Sequence, residues 1–299
     1  MESWRQQPLV FLGFVLPAVL WLTLFFLVPL AMVWVLGFGE RNGPVEIEIT
    51  WTFANYIKAI DPIYLSLFAK TVMIALAATV LCLIVSFPLA LAISFAQPAT
   101  KSLLLMLVIL PFWTNLLIRT YALIAVLRTK GYMNYGLEYL WMAGKFIAAP
   151  LGLEGLFGER FQPLELLYSN SAVIFGVVYV YLPFMVLPLY ASLERLDRSL
   201  LEASLDLGAS QWRTFRAVTV PLAAPGIVSG VILVFIPALG TFLIPDLLGG
   251  PKSELIGNVI ERQFKAANNL PLGSAMSFIL LYLTFIALFV RARWSGRDA

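Results

Sequence analysis

Five stretches of this 299-residue chain, residues 6–39, 71–100, 166–193, 217–245 and 266–290, contain no Asp, Glu, Lys or Arg. Each is longer than the roughly 20 residues that an α-helix needs to cross a bilayer. A sixth, residues 102–127, is broken by a single charge, Arg119. Lipid offers no partner to a backbone N–H or C=O, so a spanning segment must be a helix or part of a closed barrel. These runs are continuous and do not alternate, which selects helices. The composition agrees, with 61% apolar residues, 12% charged residues and a mean hydropathy of +0.89. The expected fold is all-α integral membrane, with six transmembrane helices in one domain over residues 1–299. The spans fall at about 9–37, 66–96, 102–127, 171–193, 222–245 and 272–291.

The first run follows Arg5 but is too long for a removable signal, whose apolar core is about 7–15 residues. It reads as a retained span. Orientation follows from basic density. Residues 1–8, 97–101, 194–221 and 291–299 carry nine Lys and Arg, and so do residues 39–65, 128–170 and 246–271. The first set is about half as long, and short loops carry the positive-inside rule. Both termini and the 194–221 segment are therefore expected in the cytoplasm.

Several functions are excluded. The net charge of +3 is too small for nucleic-acid binding, and the basic residues sit beside spans. There is no His, and Cys82 is the one cysteine, so neither a disulfide framework nor a soft-metal site exists. Cys82 faces lipid or is packed as a small apolar residue. Gly249-Gly250-Pro251-Lys252-Ser253 lacks the spacing of a phosphate-binding loop, so ATP chemistry would need a partner. No cofactor is expected on this chain.

Residues 202–221, EASLDLGASQWRTFRAVTVP, form a polar patch between two apolar runs. Ser199 precedes Glu202 by three residues, the spacing of a capping box. Leu200, Ala203, Ser204 and Leu207 fall on one helical face, and Gly208 suits a helix end. A second short helix is expected from Ser210, with Trp212, Phe215 and Val218 on one side. The segment resembles the cytoplasmic motif of permease subunits in binding-protein-dependent ABC importers, an E-A-A triplet, a glycine and an I-x-L-P element. The corresponding residues are Glu202, Ala203, Ser204, Gly208, Val218, Val220 and Pro221, with Ser for the third Ala and Val for Ile and Leu. The resemblance implies a type I ABC importer permease fold. It also implies a coupling helix, with Glu202, Ala203, Ser204, Leu207, Gly208, Ala209 and Trp212 docking on a cytoplasmic ATPase dimer that binds ATP and Mg. Its other implied partners are a second permease subunit in a heterodimer, a periplasmic solute-binding protein and the lipid of the bacterial inner membrane. The chain itself would not be an enzyme.

Arg119 lies in the outer half of the third run, where a charge is costly. It either pairs, with Asp246 as the candidate, or snorkels to the outer headgroups. Pro237 is the first candidate for a hinge, because Gly240 beside it admits a close neighbour. Phe112-Trp113-Thr114 with Ile118 to Tyr121, Tyr181 to Pro188, Ile236 to Gly240 and Asp246 to Gly250 resemble the spermidine/putrescine permease subfamily, B- or H-type. That likeness makes Trp113, Arg119, Tyr181, Pro237, Thr241 and Asp246 the candidate solute pathway and a polyamine the leading solute. Thr241 stands where several relatives carry an acid, which leaves phosphonates and opines open as alternatives. An ion-gradient transporter would need buried acidic carriers, and the spans contain none. No constellation for an integral-membrane enzyme is visible. Outside the spans, residues 39–65 hold a short interfacial helix. Residues 128–170 hold a second, from about Asn134 to Ile147, within a segment that either touches the binding protein or is a passive surface.

Overall fold

The computed structural model describes residues 8–43, 46–151, 158 and 160–295. Part of the basic residues behind the expected orientation, including Arg5 and Arg297, therefore lies outside the described residues. The chain is mostly helical: α1 (Pro8–Leu22), α2 (Val28–Leu36), α3 (Ala54–Ala59), α4 (Pro62–Phe95), α5 (Pro98–Ile109), α6 (Leu116–Leu127) and α7 (Tyr132–Ala148) are followed by α8 (Asn170–Glu194), α9 (Arg198–Asp206), α10 (Gln211–Thr214), α11 (Val220–Leu222), α12 (Ala224–Gly240), α13 (Ile256–Lys265) and α14 (Leu270–Ser295). Two short strands, β1 (Gly39–Arg41) and β2 (Ile47–Ile49), pair antiparallel with Glu40 opposite Glu48. The apolar pattern did not announce this hairpin.

Among the described residues, three helical stretches are long and apolar enough to span a membrane by themselves: Phe11–Leu36, Pro62–Phe95 and Asn170–Glu194. Two more qualify as bent pairs. Pro98–Trp113 meets Leu116–Ala148 at 100°, and Gln211–Leu222 meets Ala224–Gly240 at 65°. Leu270–Ile286 is a shorter apolar helix. The breaks have local causes. Pro111 cannot continue the ladder as a donor, Thr114 and Asn115 are extended, and the Asn115 side chain accepts from Leu117 N at 2.8 Å to start a new helix. Pro221 and Pro225 flank the second break.

The chain divides into two compact units. In the first, residues 1–66 and 259–299, α2 and α3 pack with α14. Trp34 Nε1 donates to the Tyr282 hydroxyl at 2.7 Å. The Phe38 ring sits among Trp34, Trp51, Phe53 and Tyr56, and Asn55 Nδ2 donates to the carbonyls of Gly37 and Gly39.

The second unit, residues 67–258, is built on α4, α8 and α12. Cys82, Phe87, Ala90 and Ile93 of α4 are buried with Met185, Val186 and Leu189 of α8 and Val234 of α12. Cys82 is thus packed and does not face lipid. Gly226 and Gly230, four residues apart on α12, face α8: a Cβ at Gly226 would lie 2.6 Å from Pro188 O, and one at Gly230 2.5 Å from Met185 Sδ. Small residues at this spacing let two apolar helices approach backbone to backbone, which is where packing energy inside a membrane comes from. At one end of this unit Lys101 Nζ grips both Glu194 carboxylate oxygens at 2.7 and 2.8 Å. Arg198 lies over the Phe95 ring and donates to Ser94 O. The tight 97–101 link and the end of α8 are thereby tied beside the start of α9.

Candidate functional site

The coupling candidates occupy a helix–glycine–helix unit. The capping box expected from Ser199 and Glu202 does not form. Asp197 is the cap instead, its Oδ1 accepting from Ser199 N at 3.0 Å, so α9 starts two residues earlier, at Arg198. An Asp two residues upstream offers an ionised acceptor that competes better for the orphan N–H than a hydroxyl does. The backbone and side-chain donors of Ser199 hold the Asp197 carboxyl below the usual range. A lowered carboxylate pKa stabilises above the unfolded value and fails only as pH falls through the folded one. The cap is therefore constant through neutral pH.

The far end of α9 closes as the sequence suggests. Gly208 has φ +82°, Gly208 N donates to Leu205 O at 2.9 Å and Ala209 N donates to Ser204 O at 3.2 Å. This pair of bonds is the Schellman closure, and it needs a left-handed residue at Gly208. Ser210 caps α10, accepting from Arg213 N at 3.3 Å. Ser204, the departure from the alanine of the motif, has a task of its own: its hydroxyl lies 3.0 Å from that of Thr214 and joins the two helices. We expect Ser204→Ala to loosen the pair by about 0.5–1.5 kcal/mol. A double-mutant cycle with Thr214→Val, read by amide exchange across residues 200–218, checks this. Additive losses would show that the hydroxyls do not interact.

Between the helices lies an open groove of about 450 Å³ whose lining includes Leu200, Ala203, Ser204, Leu207, Arg213 and Val218. Leu207 is 90% exposed, as a side chain awaiting a partner would be. Glu202 is exposed on the same unit. Trp212 stacks on Phe215 at 5.4 Å, and Phe215 meets Phe87 of α4 edge to face at 5.4 Å. A row of three rings therefore runs from α10 to the buried core. Phe87 was not singled out from the sequence, because an aromatic in an apolar span carries no local signal.

The pathway candidates come together in part. Phe112 packs edge to face on Phe184 at 4.8 Å, and Phe184 lies 5.9 Å from Tyr181. Trp113, beside Phe112, is 82% exposed. The Thr241 side chain and the Arg119 charge both lie near enough to act on the Tyr181 phenol. Arg119 stands in the first turn of α6, where the positive helix end adds to its own charge. Its Nε and Nη1 are buried without a hydrogen-bond partner. The expected pairing with Asp246 is not made: Asp246 is exposed in the π-helical turn Pro245–Gly249 and no ion pair joins them among the described residues. Pro237 is exposed within an unbroken α12, and Gly240 ends that helix with nothing within 4 Å of a Cβ placed there.

Sequence reading missed the clamp that holds the turn after Gly240. Gly257 lets its segment approach Thr241 O, with a Cβ position only 2.6 Å away. Asn258 Nδ2 donates to Phe242 O at 2.8 Å, and buried Thr71 Oγ1 of α4 accepts from Ile256 N at 2.9 Å. A polar residue in a segment expected to be external gave no reason to choose Asn258 beforehand.

Apolar spanning helices, a capped polar unit beside them and a polar cluster where helices break define an integral-membrane transport component. Residues 6–294 match the family described as "Binding-protein-dependent transport system inner membrane component", and the chain belongs to that family. It is 41% identical over 275 residues, 92% of this chain and 94% of the other, to the spermidine/putrescine transport system permease protein PotB of Escherichia coli (strain K12). To PotB of Haemophilus influenzae (strain ATCC 51907 / DSM 11121 / KW20 / Rd) it is 39% identical, covering 91% of this chain and 90% of that one. The inner membrane ABC transporter permease protein YdcU of E. coli (strain K12) is 34% identical over 79% of this chain and 75% of its own length. A crystal structure of a bacterial ABC transporter involved in import of the acidic polysaccharide alginate has the same fold, with a TM-score of 0.69, 16% identity and coverage of 98% and 97%. This chain is therefore a multi-pass, non-catalytic ABC permease component of the inner membrane, and ATP hydrolysis belongs to a partner ATPase.

Proposed function

We propose that this chain forms one half of the pore of a polyamine importer, paired with a different permease subunit and fed by a periplasmic binding protein. Both termini and the 194–221 segment lie in the cytoplasm in this reading. The observation that carries the coupling role is the groove at the Gly208 closure, open and lined by both apolar and polar residues, with Leu207 exposed. An ATPase surface seated there by Glu202, Ala203, Leu207, Ala209 and Trp212 moves the Trp212–Phe215–Phe87 row and, through it, α4. The solute passes Trp113, Tyr181, Thr241, Pro237 and Asp246. Exposed aromatic faces at Trp113 suit the alkyl and ammonium groups of a polyamine, and the identity to PotB proteins supports that class.

The test is uptake of labelled putrescine or spermidine into vesicles holding the whole complex, with ATP inside or outside as topology requires. Saturable, ATP-dependent uptake that Glu202→Ala slows is the expected result. Uptake that persists under an ion gradient without ATP would sink the reading. One observation favours a second solute class: the unpartnered Arg119 guanidinium at a helix start suits an anionic group. Competition by a phosphonate or an opine, with no competition by polyamines, would select that class.

A further inference from the structure

Helix α7 is built with its polarity reversed for a surface helix in water. Tyr132, Tyr135, Tyr139, Met142 and Phe146 recur every three or four residues and all are exposed, Phe146 by 82%. Leu140 and Ile147 widen the same face. The two charged residues of the helix, Glu138 and Lys145, are half-buried on the other side. Lys145 Nζ lies 5.1 Å over the Trp141 ring and donates to Gly158 O at 3.3 Å, so its charge is held away from the exposed face. Asn134, almost fully buried, fixes the helix in this rotation: its Nδ2 donates to Leu164 O at 2.9 Å and its Oδ1 accepts from Leu164 N at 2.8 Å. An uncharged aromatic face of this extent has to be covered.

We infer that α7 lies in the outer headgroup layer of the bilayer, with its tyrosine and phenylalanine face in lipid. Three observations choose lipid over a protein partner. The face has no charged residue, whereas the rim of a protein–protein contact is polar. The hydroxyls of Tyr132, Tyr135 and Tyr139 make no bond to the described residues, and a ring in the acyl boundary with its hydroxyl among headgroups is the arrangement that enriches tyrosine there. Ile118 and Tyr121 of the neighbouring α6 are large apolar side chains exposed in the same way. Geometry permits the placement. The 16 residues of Pro98–Trp113 rise about 24 Å, most of the roughly 30 Å hydrocarbon thickness. The stretch formed by α6 and α7 bends away from that helix by 100°, so with Pro98–Trp113 along the bilayer normal it runs close to the membrane plane. Seated so, α7 anchors α6, the helix that carries Arg119. With no charge on the face, the contact is indifferent to anionic lipid.

The test uses the whole transporter in phosphatidylcholine vesicles, in a Cys82→Ser background that retains uptake. Nitroxide labels are placed through Tyr135→Cys, Tyr139→Cys and Phe146→Cys, with Glu138→Cys as the inward control. Collisional accessibility to oxygen should exceed that to a nickel chelate at the three outer positions and not at the control, unchanged when phosphatidylglycerol is added. In the unlabelled wild-type transporter, a membrane-partitioned photoreagent should modify the tyrosines of residues 132–146, which keeps the inference testable if a cysteine variant fails to assemble. Nickel accessibility exceeding oxygen accessibility, with no photolabelling, would make the face a water-facing surface and overturn the inference. Immobilised labels shielded from both reagents, in the presence or absence of binding protein, would assign the face to a protein partner and overturn it equally.

Discussion

Gly208→Trp is expected to abolish solute-stimulated ATP hydrolysis while leaving the membrane-embedded part folded. Gly208 is the left-handed residue of the Schellman closure, with φ +82°, and it lines the groove that would receive the ATPase. A Cβ there meets nothing within 4 Å, so the protein itself has room for a side chain and only a docked partner would object. Any L residue still bears the left-handed backbone, at about 1–2 kcal/mol. Gly208→Ala adds that strain and little bulk, and is expected to reduce stimulation partially; Gly208→Trp adds an indole to the docking surface and should remove it. The measurement is ATPase activity of the reconstituted complex with and without loaded binding protein, alongside recovery of ATPase on purification. Wild-type stimulation in the Trp variant would rule out the groove as the docking surface.

Gly226→Leu should give no folded permease, whereas Gly230→Ala should be recovered with a lowered midpoint of thermal unfolding. The two glycines belong to one close approach of α12 to α8, yet they meet different neighbours. At Gly226 the obstacle is the backbone carbonyl of Pro188, together with Ser192, and neither can move without shifting α8. At Gly230 the nearest atom is Met185 Sδ, at the flexible end of a methionine that can turn aside. Overpacking a core of this kind costs about 1–3 kcal/mol for a methyl group or two, and more where backbone must shift. Detergent-solubilised yield and thermal unfolding of the fluorescently tagged chain read both effects. Equal recovery of Gly226→Leu and wild type would mean that the α8–α12 contact does not hold the fold.

Much of the coupling unit was legible because its signals are local. Gly208, Ser210 and the 3.6-residue spacing of Leu200, Ala203 and Leu207 act within a few residues of chain, and the helix closure and second cap appear where those signals put them. The start of α9 was misplaced because two competent caps lie close together, and the choice of Asp197 over Ser199 depends on how the chain leaves α8. The pathway was harder. Arg119 and Tyr181 lie on two helices and Thr241 just past the end of a third, and composition could mark each as unusual without saying that they come near one another. The same limit produced the expected Arg119–Asp246 pair, since opposite charges near span ends suggest pairing while only packing sets their separation.

What the sequence by itself determined is the solvent and the class of element: charge-free runs longer than a bilayer must be helices, because lipid leaves the backbone no other partner. It also determined the ends of the coupling helices, where one side chain or one left-handed residue satisfies the orphan groups. Tertiary structure alone decided which face of α7 is covered, and that Asn258, Gly257 and Thr71 hold the turn at Thr241. In an apolar helix every face looks alike to hydropathy. Helix against helix is settled by shape, at positions such as Gly226 and Gly230 where a missing side chain permits contact, and shape is a property of two segments at once.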